Sequence, residues 1–172
     1  MQSIALRLAE CGLTMHPEKS KVVYCKDGNR TGSYPHVHFT FLGFTFRPRK
    51  AVNSQGQRFT GFMPGVSADA LKRMRKEVRG WRIHRQTPVT LGDLAKQYNP
   101  VLRGWWNYFG EFYPSAMHSF AIYFDGKLMQ WARRKYKTLG QREQASVQWL
   151  IKMKNSFPRM FFYWNVTRYS VG

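Results

Sequence analysis

The sequence predicts an α+β fold: a small antiparallel β-hairpin followed by a mainly helical part. Three observations carry that expectation. Residues 39–46 (FTFLGFTF) place apolar side chains on both faces of a strand, and RFTGF from Arg58 supplies a return strand. From Ser67 onward apolar residues recur every three or four positions, the spacing of helices buried along one side. Hydrophobic residues are 43% of the 172 positions and aromatics 16%, which supports a packed core and argues against disorder.

Taken in order, residues 2–11 carry Ile4, Leu8 and Cys11 at helical spacing, and Gly12 falls where a left-handed cap ends a helix. No capping residue precedes this helix. It reads either as an ordinary N-terminal helix or as one that meets an upstream partner. His16-Pro17 predicts a turn, and Val22, Val23 and Tyr24 a short strand. Lys19 and Lys21 would share one face of an extended segment, to meet phosphates or simply to be solvated. Residues 26–35 read as loop. His36 and His38 alternate on one strand face, with Cys25 the only soft ligand nearby. A zinc site needs three or four ligands, so zinc is not expected.

The stretch 39–46 reads as one buried strand. Gly43 inside it marks a bulge or the close approach of a backbone or ligand. RPRKAVNSQGQ reads as a long basic loop, and Pro64-Gly65 ends the hairpin and divides residues 1–64 from 65–172.

Ser67 suits the N-cap of the first downstream helix, with Leu71, Met74, Val78 and Trp81 along its apolar side. Around the rest run Lys72, Arg73, Arg75, Lys76, Arg79, Arg82 and Arg85, with Glu77 the lone acid. A solvated helix mixes signs to form i,i+4 pairs, so this composition favours a phosphate-facing stripe. Thr90 caps a short helix that Asn99-Pro100 ends, and Pro100 opens another. There Trp105, Trp106, Tyr108, Phe109 and Phe112 crowd together as core, with Arg103 beside them where bases could stack. Residues 115–137 predict a long helix buried through Met117, Phe120, Phe124, Leu128 and Trp131. A last helix presents Val147, Leu150 and Ile151, and the aromatic, basic tail from Ser156 is expected to pack back on the helices.

Charge narrows the function. Lys and Arg number 28 against 9 Asp and Glu, a formal +19. That excess implies a polyanionic partner, nucleic acid before an anionic membrane surface. No apolar run approaches the roughly 18 residues of a membrane span, and the first residues lack a signal-peptide pattern. Two cysteines make no disulfide framework, so free thiols and a cytoplasmic setting are expected. The nine acids are scattered, no two closer than eight positions. Phosphoryl transfer by two metals needs carboxylates converging on ions about 4 Å apart. No phosphate loop, Cys-x-x-C pair or nucleophile elbow is present. Catalysis is not assigned to this chain alone.

The order of three motifs adds to this. GL..HPEKSK over residues 12–21, FLGF over 41–44 and NP.LRGWWNYF over 99–109 resemble the C-terminal part of a group II intron reverse transcriptase/maturase. The resemblance spans nearly the whole chain. It implies that residues 1–64 are the end of the palm, with the primer-grip hairpin, and 65–172 the helical thumb or maturase-specific domain. It implies nucleotide-phosphate contact by Lys19 and Lys21. Phe41, Leu42, Gly43 and Phe44 would form the primer grip. Lys72, Arg73, Arg75, Lys76, Arg79, Arg82, Arg85 and Arg103 would bind nucleic acid. The family's YADD aspartates belong before Gly12 and are absent from this sequence, as are the fingers, most of the palm and a Cys-rich endonuclease. Magnesium is therefore expected only in an intact polymerase, and no cofactor in this chain. The implied partners are group II intron RNA, an RNA–DNA template–primer duplex and a separate fingers/palm fragment. The expected function is RNA binding that assists splicing and mobility. The alternatives are a fragment that completes an RNA-directed DNA polymerase, or a non-functional remnant of a mobile element.

Overall fold

The computed structural model describes residues 2–30, 32–140 and 142–168. Two compact units divide the chain: Met1–Phe39 with Arg47–Phe62, and Thr40–Phe46 with Met63–Gly172. Helix α1 (Gln2–Glu10) is followed by strands β1 (Phe39–Phe41), β2 (Phe44–Val52) and β3 (Arg58–Val66). These form one antiparallel sheet in the order β1-β2-β3. Then come α2 (Ala68–Gly80), a 3-10 turn (Ile83–Arg85), α3 (Leu91–Phe109), a second 3-10 turn (Pro114–Met117), α4 (His118–Lys135), α5 (Glu143–Ser156) and α6 (Phe162–Arg168). The α+β class holds.

In the first unit α1 forms as the spacing requires, and Gly12 ends it at φ 71°. None of its residues is buried. Residues 22–24 and 36–38 are not strands. Among the described residues their segments meet through one backbone bond, Tyr24 N–H to His36 O at 2.8 Å, and the Tyr24 ring lies against that of Tyr34, tilted by 37°. A strand needs a repeated ladder, which one bond does not supply. Lys19 lies in a turn, so it and Lys21 do not share an extended face; both are exposed. The loop between β2 and β3 is short, because β2 continues through Val52. Asn53 builds its turn: the side-chain oxygen accepts N–H groups of Gln55 and Gln57, and Gly56 takes φ 79°. Pro64 and Gly65 sit inside β3 rather than ending it.

Residues 39–46 are not one strand. Leu42 and Gly43 have φ of 48° and 84°, and β1 turns back through them into β2. Positive φ at both central residues marks the type I′ turn, whose twist matches an antiparallel pair. The two-sided burial expected of this stretch is not found: Phe44 is buried, while Phe41 and Leu42 are exposed. Phe44 packs instead against Tyr108, Phe109 and Phe112.

The core of the second unit is helical. Helix α4 packs against α2, α5, α6 and both 3-10 turns. Its stripe Phe120, Phe124, Leu128 and Trp131 is fully buried, with Met117 just before it. Each such side chain contributes about 1.5–3 kcal/mol on leaving water. Helix α3 is continuous through Pro100, so the predicted break at Asn99-Pro100 is absent. Tyr98 and Leu102 on either side are buried, and that packing holds the helix across the proline. Asn99 donates to Met160 O and accepts from Phe162 N–H, joining α3 to the segment leading into α6. On α5 the expected apolar face is corrected. Val147 and Ile151 are exposed, and Ser146, Leu150, Trp149 and Met153 turn inward. Ser146 tolerates burial because its hydroxyl donates to Glu143 O at 2.6 Å. The tail packs back through Phe161, Tyr163 and Trp164; its residues 169–172 lie outside the described residues.

Candidate nucleic-acid interface

The start of α2 is built as its sequence requires. Ser67 Oγ accepts Ala70 N–H at 3.1 Å, and Ser67 N–H donates to Gly43 O at 2.8 Å. The side facing the core is Ala70, Met74 and Val78, with Leu71 and Trp81 half-buried beside it. At 100° per residue, Lys72, Arg75, Lys76 and Arg79 then share one arc, at i, i+3, i+4 and i+7. Arg73 lies off that arc on the far flank, near Glu77.

These bases do not have one job. Lys72, Lys76 and Arg79 are exposed. Arg75 is half-buried: its guanidinium donates to Ser119 Oγ at 3.2 Å and lies over the Tyr123 ring, whose hydroxyl donates to Arg75 O. Arg75 thus joins α2 to α4. Its Nε is buried without a hydrogen-bond partner. Arg103 is exposed but covers the Phe162 ring at 5.1 Å, so it stacks within the protein. Trp105 and Trp106 belong largely to the core: Trp105 stacks on Trp81, which stacks on Tyr98, and Trp106 is buried against Tyr163.

Beyond α2 the chain makes a sharp turn. Arg82 takes φ 49°, an uncommon left-handed conformation for arginine, and leads into the 3-10 turn with Ile83 buried. Trp131 holds this turn by donating Nε1–H to Gln86 O at 2.8 Å, while the Gln86 amide donates to Tyr98 Oη and Trp81 O. The turn therefore sits against α4. Between them opens a cleft of about 740 Å³ lined by Arg79, Arg82, His84, Lys127, Arg133 and Arg134, with Ile83 and Val78 among its apolar lining.

The basic run at the end of α4 reads from sequence as a complement to the helix dipole. The structure divides it. Arg133 and Arg134 line the cleft. Lys135 turns inward, donating to Thr87 O and Val89 O at 2.8 Å each, over the Trp131 ring. The α4 wall, Lys127, Arg133 and Arg134, was not legible from spacing, since more than 40 residues separate it from Arg79 and Arg82.

The ion pairs among the described residues are Arg7–Glu10, Arg30–Asp27 and Lys154–Asp125, so none offsets a cation of the cleft. At an effective dielectric of about 20, two like charges ~8 Å apart repel by about 2 kcal/mol. A cleft with five permanent cations is relieved by an anion. His84 reports the same field. Its pKa is held below the usual 6.5, first by partial burial and then by Arg134, Arg85, Lys127 and Arg82.

The primer-grip candidates sit on the turn between β1 and β2. Tyr108 Oη–H donates to Leu42 O at 3.1 Å. A Cβ at Gly43 would meet the Phe109 ring at 3.1 Å, so the close approach expected at this glycine is made by the protein itself. Among the described residues no three His, Cys, Asp or Glu side chains are grouped to hold a metal ion, so they do not fit the magnesium of an intact polymerase. Nor is any described helix long and apolar enough to cross a membrane.

Residues 71–149 match the family model of the group II intron maturase-specific domain. No curated protein and no solved structure matches the chain. The matched stretch includes both walls of the cleft, and it is consistent with the C-terminal maturase or thumb part of a group II intron reverse transcriptase. It implies a maturase-related function and, at that coarse level, interaction with group II intron RNA.

Proposed function

We propose that this chain is an RNA-binding maturase module that grips the phosphate backbone of structured group II intron RNA, and of a template–primer duplex, to assist splicing and mobility. The observation that carries this reading is the cleft. Arg79 and Arg82 on one wall face Lys127, Arg133 and Arg134 on the other, with no carboxylate paired to any of them among the described residues. Lys72, Lys76 and Arg85 extend the charged surface as exposed cations. On this reading residues 65–172 act as the thumb and 1–64 as the end of the palm. The turn at Phe41, Leu42, Gly43 and Phe44 supports a primer end, mainly through its exposed first two residues. Lys19 and Lys21 meet nucleotide phosphates.

The test is binding of structured intron RNA across a salt series. Each neutralised phosphate contributes about 0.7–0.9 to the log–log slope, so a cleft of this charge should give a slope of several units. A flat salt response, or no binding, overturns the reading.

One observation favours a second reading. Helix α1 buries none of its residues, and Ile4 and Leu6 stay 59% and 68% exposed. A separate fingers/palm fragment would cover such a surface and complete an RNA-directed DNA polymerase, with that fragment supplying the metal ligands. Primer extension by the mixed halves tests it; no extension above the N-terminal half alone refutes it.

A further inference from the structure

His84 lies among the cations of the cleft without a charge of its own to spare. Four charged groups act on it: Arg82 and Arg85 from its own turn, and Lys127 and Arg134 from α4. Arg79 of α2 and Arg133 of α4 line the same cleft. All six are cationic, and among the described residues no carboxylate is one of the groups that shift it. Burial also disfavours the imidazolium. A neutral imidazole is the state that this burial and these cations favour.

A phosphodiester backbone reverses that field. Its negative charge would sit among the same cations, within reach of a ring that can turn a second N–H toward an oxygen. A charge-assisted N–H···O bond is roughly twice as strong as a neutral one. We propose that His84 is a phosphate ligand of the cleft that takes up a proton as the nucleic-acid backbone enters. The proposal rests on the reading of the cleft as an RNA site and adds a residue and a proton to it.

The sign follows from linkage. The bound protein has the higher His84 pKa, so binding takes up a proton at pH values between the free and bound pKa. Affinity is highest below the free value, falls as pH rises through the bound value, and is level above it. Each unit of difference between the two is a factor of ten in affinity.

The experiment measures binding of structured intron RNA from pH 5.5 to 8.5 at fixed ionic strength, for the full chain, His84→Gln and His84→Lys. The expected result is an affinity that falls by about three- to tenfold with rising pH in the parent chain. His84→Gln should be level and weak, and His84→Lys level and tight. Calorimetry of the parent chain in two buffers of different ionisation heat should show a fraction of one proton taken up per cleft. If His84→Gln does not fold, NMR titration of His84 in the parent chain decides, and added inorganic pyrophosphate should raise its pKa. Identical pH profiles for the parent and His84→Gln, no proton uptake, or no response to pyrophosphate overturns the proposal. In that case steeply salt-dependent RNA binding would leave the cleft reading standing. Absence of RNA binding at every pH sinks both.

Discussion

Asp125 of α4 accepts the hydroxyl of Tyr163 of α6 at 2.5 Å, deep in the helical core. The same carboxyl oxygen accepts Trp164 Nε1–H at 3.2 Å, and the other takes Lys154 of α5 at 2.5 Å. One acid therefore ties three helices together. Both carboxylate oxygens are used, which is what a buried charge requires.

Loss of this arrangement should be costly. Asp125→Ala leaves the Tyr163 hydroxyl and Lys154 without their acceptor and should destabilise by about 2–4 kcal/mol. Tyr163→Phe removes the bond to Asp125 and should cost about 1–2 kcal/mol. Urea denaturation followed by circular dichroism measures both. An Asp125→Ala cost no larger than that of Tyr163→Phe would refute the three-helix role.

The same phenol sets a response to alkali. Burial first, then the Asp125 charge and hydrogen bond, raises the Tyr163 pKa well above 10.0. Below the unfolded value both states keep the proton, and the contribution is fully present. Above it the unfolded chain ionises while the folded chain does not. Stability should then fall by about 1.4 kcal/mol per pH unit from this group until the folded pKa is reached. Denaturation midpoints of parent and Tyr163→Phe between pH 9 and 11 check this; parallel curves would contradict it.

The β1–β2 turn carries strain at a non-glycine residue. Leu42 sits at φ 48° in a turn whose first central position favours Asn. Leu42→Asn should raise stability by about 0.5–1 kcal/mol. Gly43→Ala should lower it by about 1–2 kcal/mol, because the new Cβ adopts a left-handed conformation and crowds Phe109. If Leu42 supports a primer, Leu42→Asn should also weaken primer-end binding despite the gain in stability. Thermal melts and a primer-binding assay separate the two effects.

Charge removal should sort the basic residues by location. Arg79→Ala, Arg133→Ala and Arg134→Ala should each weaken RNA binding and lower the salt slope by about one unit, with little change in melting temperature. Lys135→Ala should do the reverse, since its ammonium holds Thr87 and Val89 carbonyls. It should lose about 1–3 kcal/mol of stability and leave the slope unchanged. Equal effects of all four on the slope would show that position in the cleft is irrelevant.

Pro100 interrupts the hydrogen bonding of α3 while its neighbours hold the helix by packing. Pro100→Ala restores a backbone donor in an exposed position and should stabilise by about 1–2 kcal/mol. A lower melting temperature in this variant would mean the ring makes a contact worth more than the missing bond.

Much of the helical part was legible because its signals are local. Ser67 caps α2, Thr90 caps α3 with a reciprocal bond from Asp93, and the α4 stripe is buried where its spacing places it. Short-range chemistry misled where two outcomes differ by little. Phe39–Phe46 has the pattern of one strand, yet two consecutive left-handed residues make it a hairpin. Contacts with Tyr108, Phe109, Phe112 and the start of α2 select that shape. Val147, Leu150 and Ile151 read as one apolar set, and the helix buries only Leu150 of the three while turning Ser146 inward.

From sequence alone came the excess of positive charge, the helix starts and the resemblance of three motifs to group II intron maturases, because composition, caps and spacing act within a few residues. Tertiary structure decided which of those charges meet. It took Arg75, Arg103 and Lys135 into internal contacts and set Arg79 and Arg82 against Lys127, Arg133 and Arg134. That sorting depends on how the turn after α2 packs on α4, through Ile83, Gln86 and Trp131, and no local pattern encodes a contact across forty residues.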